Sequence, residues 1–235
     1  MLRRIIERHS KIDPLSDTEI QIIRGATKLF LQQGFSKTTI REISKETGIG
    51  LGTITYYYRT KEDLLKLLIE ELMEFHFDII EEAIEKTNDN IFSCAFEVAV
   101  QIALCENDSK AWDLYYSAYS HPSIFEFIKD WAAKKNYHLL KDNFPDMTED
   151  DFRRIENVSS GIELAAFLSP CSRYFTLDEK ISLFLESIMK IFNVQEDKRR
   201  EIVDKVLALD YQKTAGEIFE RFINKVYSSF KNTSV

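Results

Sequence analysis

Little in this chain belongs to a β-sheet. Its 235 residues include seven glycines and four prolines, and no β-rich runs bounded by turn residues interrupt its helical periodicity. That scarcity excludes sandwiches and barrels and predicts an almost wholly α-helical protein. No stretch of 18 uncharged apolar residues occurs, so no conventional membrane span is expected. The N-terminal run MLRRIIERHSK is basic but has neither an apolar signal core nor a cleavage site, and a cytoplasmic location is the expectation. Three cysteines, Cys94, Cys105 and Cys171, stand far apart and form no CxxC pair, which predicts reduced, mostly buried thiols.

Catalytic constellations are missing as well. His9, His76, His121 and His138 show no i,i+4 metal pairing. There is no GxSxG, no Gly-rich phosphate loop and no Glu-x-x-His motif for a di-iron site. Glu81, Glu82 and Glu85 read as a solvated helix face. Neither an enzyme, a cofactor nor a metal is expected.

What is present is ample apolar material, 44% of residues, with 30% charged, enough for one large domain or two small ones. The net charge of -8 is unevenly spread. Residues 1–61 hold 11 Lys/Arg against 6 Asp/Glu, a net of +5, which leaves 20 against 33, a net of -13. Basic charge attracts phosphate only locally, because screening cuts in at about 8 Å in physiological salt.

The basic part holds the most informative stretch, GFSKTTIREISKETGIGLGTITYYYRTKEDL. Gly34 suits a left-handed residue ending one helix, and Phe35 folds back on that helix's last turn. Thr39-Ile40-Arg41-Glu42 is a capping box opening a short helix to about Thr47. Gly48 breaks it, Ile49 plugs the turn, and a second helix starts near Leu51. This is helix-turn-helix geometry, which places its second helix in the DNA major groove. Ile40, Ile43, Ile49, Ile54 and Tyr58 are spaced to form a shared core, and Tyr56 also reads as structural. Thr39, Arg41, Thr53, Thr55, Tyr57 and Lys61 remain for the outer face.

Upstream, Ser16-Asp17-Thr18-Glu19 is a capping box for a helix from about Asp17 to Gln33, preceded by a basic arm at 1–13. Arg3, Arg4 and Arg8 of that arm could follow phosphates or a minor groove, or simply be solvated. Downstream, Thr60-Lys61-Glu62-Asp63 is a weaker box opening a long helix from Lys61 to about Lys86, without internal Gly or Pro. Further helices are expected at about 89–106, 109–120, 122–142, 149–168, 177–193, 196–209 and 211–230. The predicted architecture is all-α, with a DNA-binding head at 1–60 and a larger helical body at 61–235.

Residues 17 to 65 resemble the TetR family of transcriptional regulators. The resemblance rests on Leu29-Phe30-Leu31-Gln32-Gln33-Gly34-Phe35, Thr38-Thr39-Ile40-Arg41-Glu42-Ile43, Thr47-Gly48-Ile49, Gly52-Thr53-Ile54-Thr55-Tyr56-Tyr57-Tyr58 and Lys61-Glu62-Asp63-Leu64-Leu65. It implies a homodimeric regulator, usually a repressor, whose two heads enter major grooves of a two-fold symmetric operator in double-stranded DNA. A small-molecule effector in the body then swings the long helix and spoils the head spacing. Activation, or a head used for protein contacts, are the alternatives within the same fold. A helical ligand carrier or enzyme in which the motif is a coincidence is the alternative outside it.

The implied DNA-contact set is Thr39, Arg41, Leu51, Gly52, Thr53, Thr55, Tyr57 and Lys61. Arg41 matches a position that reaches base edges or phosphate, and its guanidinium fork suits guanine. Thr53 matches a recurrent contact, and Tyr57 and Lys61 match phosphate ligands. The chain departs from the family at Gly50, which removes a cap, and at Leu51, which removes a hydrogen-bonding reader.

The body is rich in aromatics. Most are core, yet Phe92, Phe96, Trp112, Tyr115, Tyr116, Tyr119 and Trp131 are candidate pocket walls, since buried tyrosine hydroxyls need partners. An apolar or aromatic ligand is expected, oriented by Asp113, Glu97 or His76. The small residues Ser159, Ser160, Gly161, Ala165 and Ala166 of helix 149–168 let another helix approach closely; the resemblance implies that this region builds a four-helix dimer interface, paired with 177–193 or 211–230, and an ordinary intrachain contact is the alternative.

Overall fold

A computed structural model describes residues 15–231; the expected basic arm at 1–13 lies outside them. Eleven helices make up the described residues. In chain order they are α1 (Asp17–Gln33), α2 (Ile40–Thr47), α3 (Leu51–Tyr57) and α4 (Lys61–Thr87). Then come α5 (Asn90–Asn107), α6 (Ser109–Ser120), α7 (Pro122–Leu140) and α8 (Glu149–Leu168). The chain closes with α9 (Leu177–Ile191), α10 (Glu196–Leu207) and α11 (Tyr211–Lys231).

The caps explain the boundaries. Ser16, Thr39, Thr148 and Thr176 each form a reciprocal capping box with the acid three residues on. Thr60 and Asp63 do the same at α4: each backbone N–H donates to the other's side-chain oxygen, at 2.9 and 3.3 Å. Such a cap is worth about 1 kcal/mol, because it satisfies backbone donors that a helix end leaves unpaired. Gly48 ends α2 in the left-handed region at φ 72°. Gly34 differs from expectation. Its φ of 95° is positive, but its ψ of 155° lies outside the left-handed helical well, so the chain leaves α1 fully extended. Phe35 still folds back, with its ring 5.1 Å from that of Phe30.

The helices form two compact units, and these do not divide at residue 60. One runs to Met73 and regains the chain from Ile218 onward; the other is Glu74–Glu217. The reason is burial along the first half of α4. Leu64, Leu65, Leu68 and Leu72 are sunk in the core of the first unit with Ile22, Phe30, Ile43 and Ile54. Phe222 and Val226 of α11 are buried too, and burial raises the pKa of the Tyr227 phenol. The distal part of the last helix, which the sequence offers as one candidate partner of helix 149–168, thus belongs to the head.

In the second unit α5 is central. It packs against α6, α8, α9 and α10, and Ala99, Val100, Ile102, Ala103 and Leu104 lie at its buried face. The longest antiparallel contact joins α7 to α8. After α8 a tight turn pairs Ser172 with Phe175. Beside it the buried Lys180 ammonium meets Glu106 at 2.7 Å. Among the described residues no helix is long and apolar enough to cross a membrane.

Candidate nucleic-acid interface and effector site

Helix α3 is seven residues long and anchored by one buried side chain, Ile54. Ile40, Ile49 and Tyr58 of the expected core are half-buried rather than buried. Gly50 opens α3 without a side-chain cap, as its lack of a hydroxyl requires. The turn is held instead by Ser44, whose Oγ donates to Ile49 O at 2.6 Å, and by Thr47, whose Oγ1 donates to Ile43 O at 2.8 Å. At Gly25 in α1, an added Cβ would lie 2.3 Å from Thr47 Cγ2, so the absent side chain is what lets α2 close on α1.

Thr39, Arg41, Leu51, Gly52, Thr53 and Thr55 are exposed. The Thr55 hydroxyl donates back to Leu51 O at 3.0 Å, which leaves its oxygen free to accept. Tyr57 is half-buried, its phenol 3.3 Å from Ser16 Oγ. Lys61 departs furthest from the expected role. Its ammonium donates to Phe35 O at 3.0 Å and Thr38 O at 3.1 Å, and lies 4.1 Å from the Phe35 ring centroid. Two of its three hydrogens hold the start of α4 against the loop after α1, and one remains for a phosphate. Tyr56 reverses the sequence reading: it is 83% exposed on α3, with its ring edge-on to Tyr57. The reading failed because seven residues are too few turns to fix a face by periodicity.

The body's aromatics separate into groups. Trp112 and Tyr116 stack at 4.9 Å, and the Trp112 indole donates to Phe167 O at 2.8 Å. Tyr115 and Tyr119 both touch the Phe167 ring, at 5.6 and 5.2 Å, and Tyr119 touches Phe125 at 5.4 Å. Phe92 and Phe96 stack on each other at the start of α5. Trp131 faces Phe77 and donates to Glu74 at 3.1 Å.

The Tyr115–Tyr119 group carries polar chemistry. Tyr115 Oη lies 2.5 Å from His76 Nε2, and His76 Nδ1 is in close contact with Glu97. Gln101 donates to the same Glu97 oxygen at 2.6 Å. Asp113 is half-buried on α6. The Tyr119 hydroxyl donates to Glu163 Oε2 at 2.6 Å. One turn and two turns before Glu163 on the same face of α8 lie Ser160 and Glu156. The Ser160 hydroxyl is 3.0 Å from Glu156 Oε1, and Asn136 donates to Glu156 Oε2 at 3.3 Å. Burial, then the neighbouring Glu156, push the Glu163 carboxyl up to about 8. Burial also raises Glu156, and both tyrosine hydroxyls stand well above the ordinary phenol range for the same reason. The sequence singled out neither Glu156 nor Glu163. Their only signal was an acid at i and i+7 with small residues between, a pattern equally typical of a solvated face.

The small residues of α8 divide. Ser159, Ser160 and Ala166 are buried, whereas Gly161 and Ala165 are exposed in line with Val158 and Leu168, which are 52% and 53% exposed. On the adjoining α9, Leu183 is 54% exposed.

Residues 22–68 match the family described as bacterial regulatory proteins, tetR family. A probable HTH-type transcriptional regulator of Bacillus subtilis, YttP, is 31% identical over 86 residues, covering 34% of this chain and 42% of its own length. The regulator HbdR of an Aromatoleum species is 38% identical over 65 residues, 28% of each chain. The chain therefore spans less than half the length of these curated relatives. Among solved structures, RolR in complex with resorcinol superposes with a TM-score of 0.62 at 20% identity, covering 78% of this chain and 91% of that one. The Thermus thermophilus repressor FadR with lauroyl-CoA gives 0.56 at 20% identity, covering 75% and 96%. These likenesses are of fold.

Proposed function

Because this chain belongs to the TetR family, we propose that it is a transcriptional regulator, most simply a cytoplasmic repressor, that binds a two-fold symmetric operator as a homodimer. A small apolar or aromatic molecule in the body releases it. The observation that carries the DNA reading is the surface of α3: Leu51, Gly52, Thr53, Thr55 and Tyr56 all face outward from a helix held by Ile54 alone. A helix kept for protein packing would bury more than one residue. Arg41 on α2 and the free Lys61 hydrogen flank that surface, suiting a base edge or phosphate and a phosphate respectively.

The dimer reading is supported by the stripe of Val158, Gly161, Ala165 and Leu168, with Leu183 beside it. Small residues let a second helix approach closely, and the flanking leucines would be desolvated. This favours α9 over α11 as the partner of α8 in a four-helix contact.

Selection of bound DNA from random sequence tests the proposal. A two-fold symmetric consensus with half-sites about one helical turn apart is expected. Enrichment of no sequence, or of an asymmetric one, rejects it.

A further inference from the structure

We propose that Gly216 is a hinge in α11, which lets the far half of that helix stay seated in the head while the head tilts to fit its operator. This rests on the reading of the chain as a two-headed operator binder, and specifies how the heads adjust.

Two helices, α4 and α11, pass from one compact unit to the other. They cross differently. α4 changes units between Met73 and Glu74, with Leu72, Phe75 and His76 buried on either side. From Lys61 to Thr87 it has neither glycine nor proline. α11 changes units between Glu217 and Ile218, and the two residues before that point, Gly216 and Glu217, are both exposed.

Each half of α11 has its own anchor. In the near half Tyr211 and Ala215 are buried, and the Tyr211 hydroxyl donates to Asp178 at the start of α9. In the far half Phe222 and Val226 are buried, and Tyr227 lies within electrostatic reach of Lys28 of α1.

Packing does not call for a glycine at 216. A Cβ there would meet nothing within 4 Å. The position lies inside a helix, where glycine disfavours the helical state about fivefold relative to alanine. The weakness falls between the two anchors and beside the unit boundary. Hinges are built this way, from a small residue that absorbs a change of φ and ψ between two held bodies. Were both crossings stiff, any tilt of α4 would pull Phe222 and Val226 from the head or Tyr211 from Asp178. A soft crossing in α11 removes that conflict.

Two measurements on the full chain test the hinge. The first is binding to the selected operator and to versions with one base pair added or removed between half-sites. Wild type should tolerate the change. Gly216→Ala, whose methyl group has open space, should keep its affinity for the unaltered operator but suffer a spacing penalty at least about tenfold larger, because stiff heads lose simultaneous engagement. Moving the glycine by one residue, in Gly216→Ala with Glu217→Gly, should restore the tolerance. An equal penalty in wild type and Gly216→Ala, or no rescue by the shifted glycine, overturns the hinge and leaves the operator reading standing.

The second measurement needs no DNA. Hydrogen exchange followed residue by residue should show amides 217–220 opening faster than amides 222–226, and Gly216→Ala should slow the former about fivefold. Uniform protection along α11 overturns the hinge. Should wild type bind no operator at all, the two-headed reading falls, while the exchange pattern still supports or overturns the weak point at Gly216.

Discussion

Gly25 of α1 and Thr47 at the end of α2 approach so closely that a methyl group on the glycine would fall 2.3 Å from Thr47 Cγ2. Gly25→Ala should therefore destabilise the head, although alanine is the better helix former by about 1 kcal/mol. Overpacking typically costs about 1–3 kcal/mol, so the clash outweighs the propensity. Urea unfolding would show a lower midpoint. Adding Thr47→Ser, which removes Cγ2 and keeps the hydroxyl on Ile43 O, should restore stability beyond wild type. A clash located elsewhere would leave the double variant as weak as the single one.

Lys61 offers a second test. Lys61→Met retains the stem over Phe35 but removes two hydrogen bonds to backbone carbonyls. The expected loss is about 1–3 kcal/mol, since Phe35 O and Thr38 O lose their charged donor. Operator binding should weaken together with stability. A variant with wild-type stability and weaker DNA binding would instead make Lys61 purely a phosphate ligand.

Arg41 and Tyr56 are both exposed and should separate in their effects. Arg41→Ala is expected to weaken operator binding by about 1–3 kcal/mol if the guanidinium reads a base, with relaxed preference at that base. If it meets phosphate, binding weakens evenly across sequences and the salt slope falls by about 1. Tyr56→Ala should weaken DNA binding with no loss of thermal stability, because its side chain is 83% exposed. A lowered melting temperature would restore the structural role that its sequence position first suggests.

Glu163 makes body stability depend on pH. Its ordinary carboxyl value is 4.5, and the folded value is about 8. Below 4.5 the group is neutral in both folded and unfolded chains. As pH rises from there the unfolded chain ionises while the folded one holds its proton, so stability is lost until pH passes about 8. Glu163→Gln removes this term. Its melting temperature should exceed wild type at pH 8, and the gap should close toward pH 4.5. A gap of constant size would mean that the carboxyl is not perturbed.

Gly161 lies at the centre of the exposed stripe on α8, and a Cβ there meets nothing within 4 Å. If the proposed dimer forms through this stripe, Gly161→Arg should leave the protomer folded and halve the mass seen in sedimentation. An unchanged mass would place the interface on another face.

Much of the fold was legible because its punctuation is local. Ser16 and Thr39 announce their helices through an acid three residues later, and the structure places each start there. Gly48 likewise needs only its neighbours. What stayed hidden is tertiary. The commitment of Lys61 to Phe35 and Thr38 depends on a loop 23 to 26 residues away. The hydrogen bond that Glu163 accepts comes from Tyr119, 44 residues earlier. The division of α8 into inward serines and an outward glycine also depends on which side α7 takes, and composition carries no record of that.

The three native thiols have a practical consequence. Burial pushes Cys94 up to about 12 and Cys105 further still, and it raises Cys171 as well. Because alkylation proceeds through the thiolate, all three should react sluggishly with maleimides at neutral pH. Tyr56→Cys would put a fully solvated thiol on α3, so a dye could be attached there without first stripping the native cysteines. Fluorescence from that dye would report directly on engagement of the operator and on its loss when effector is added.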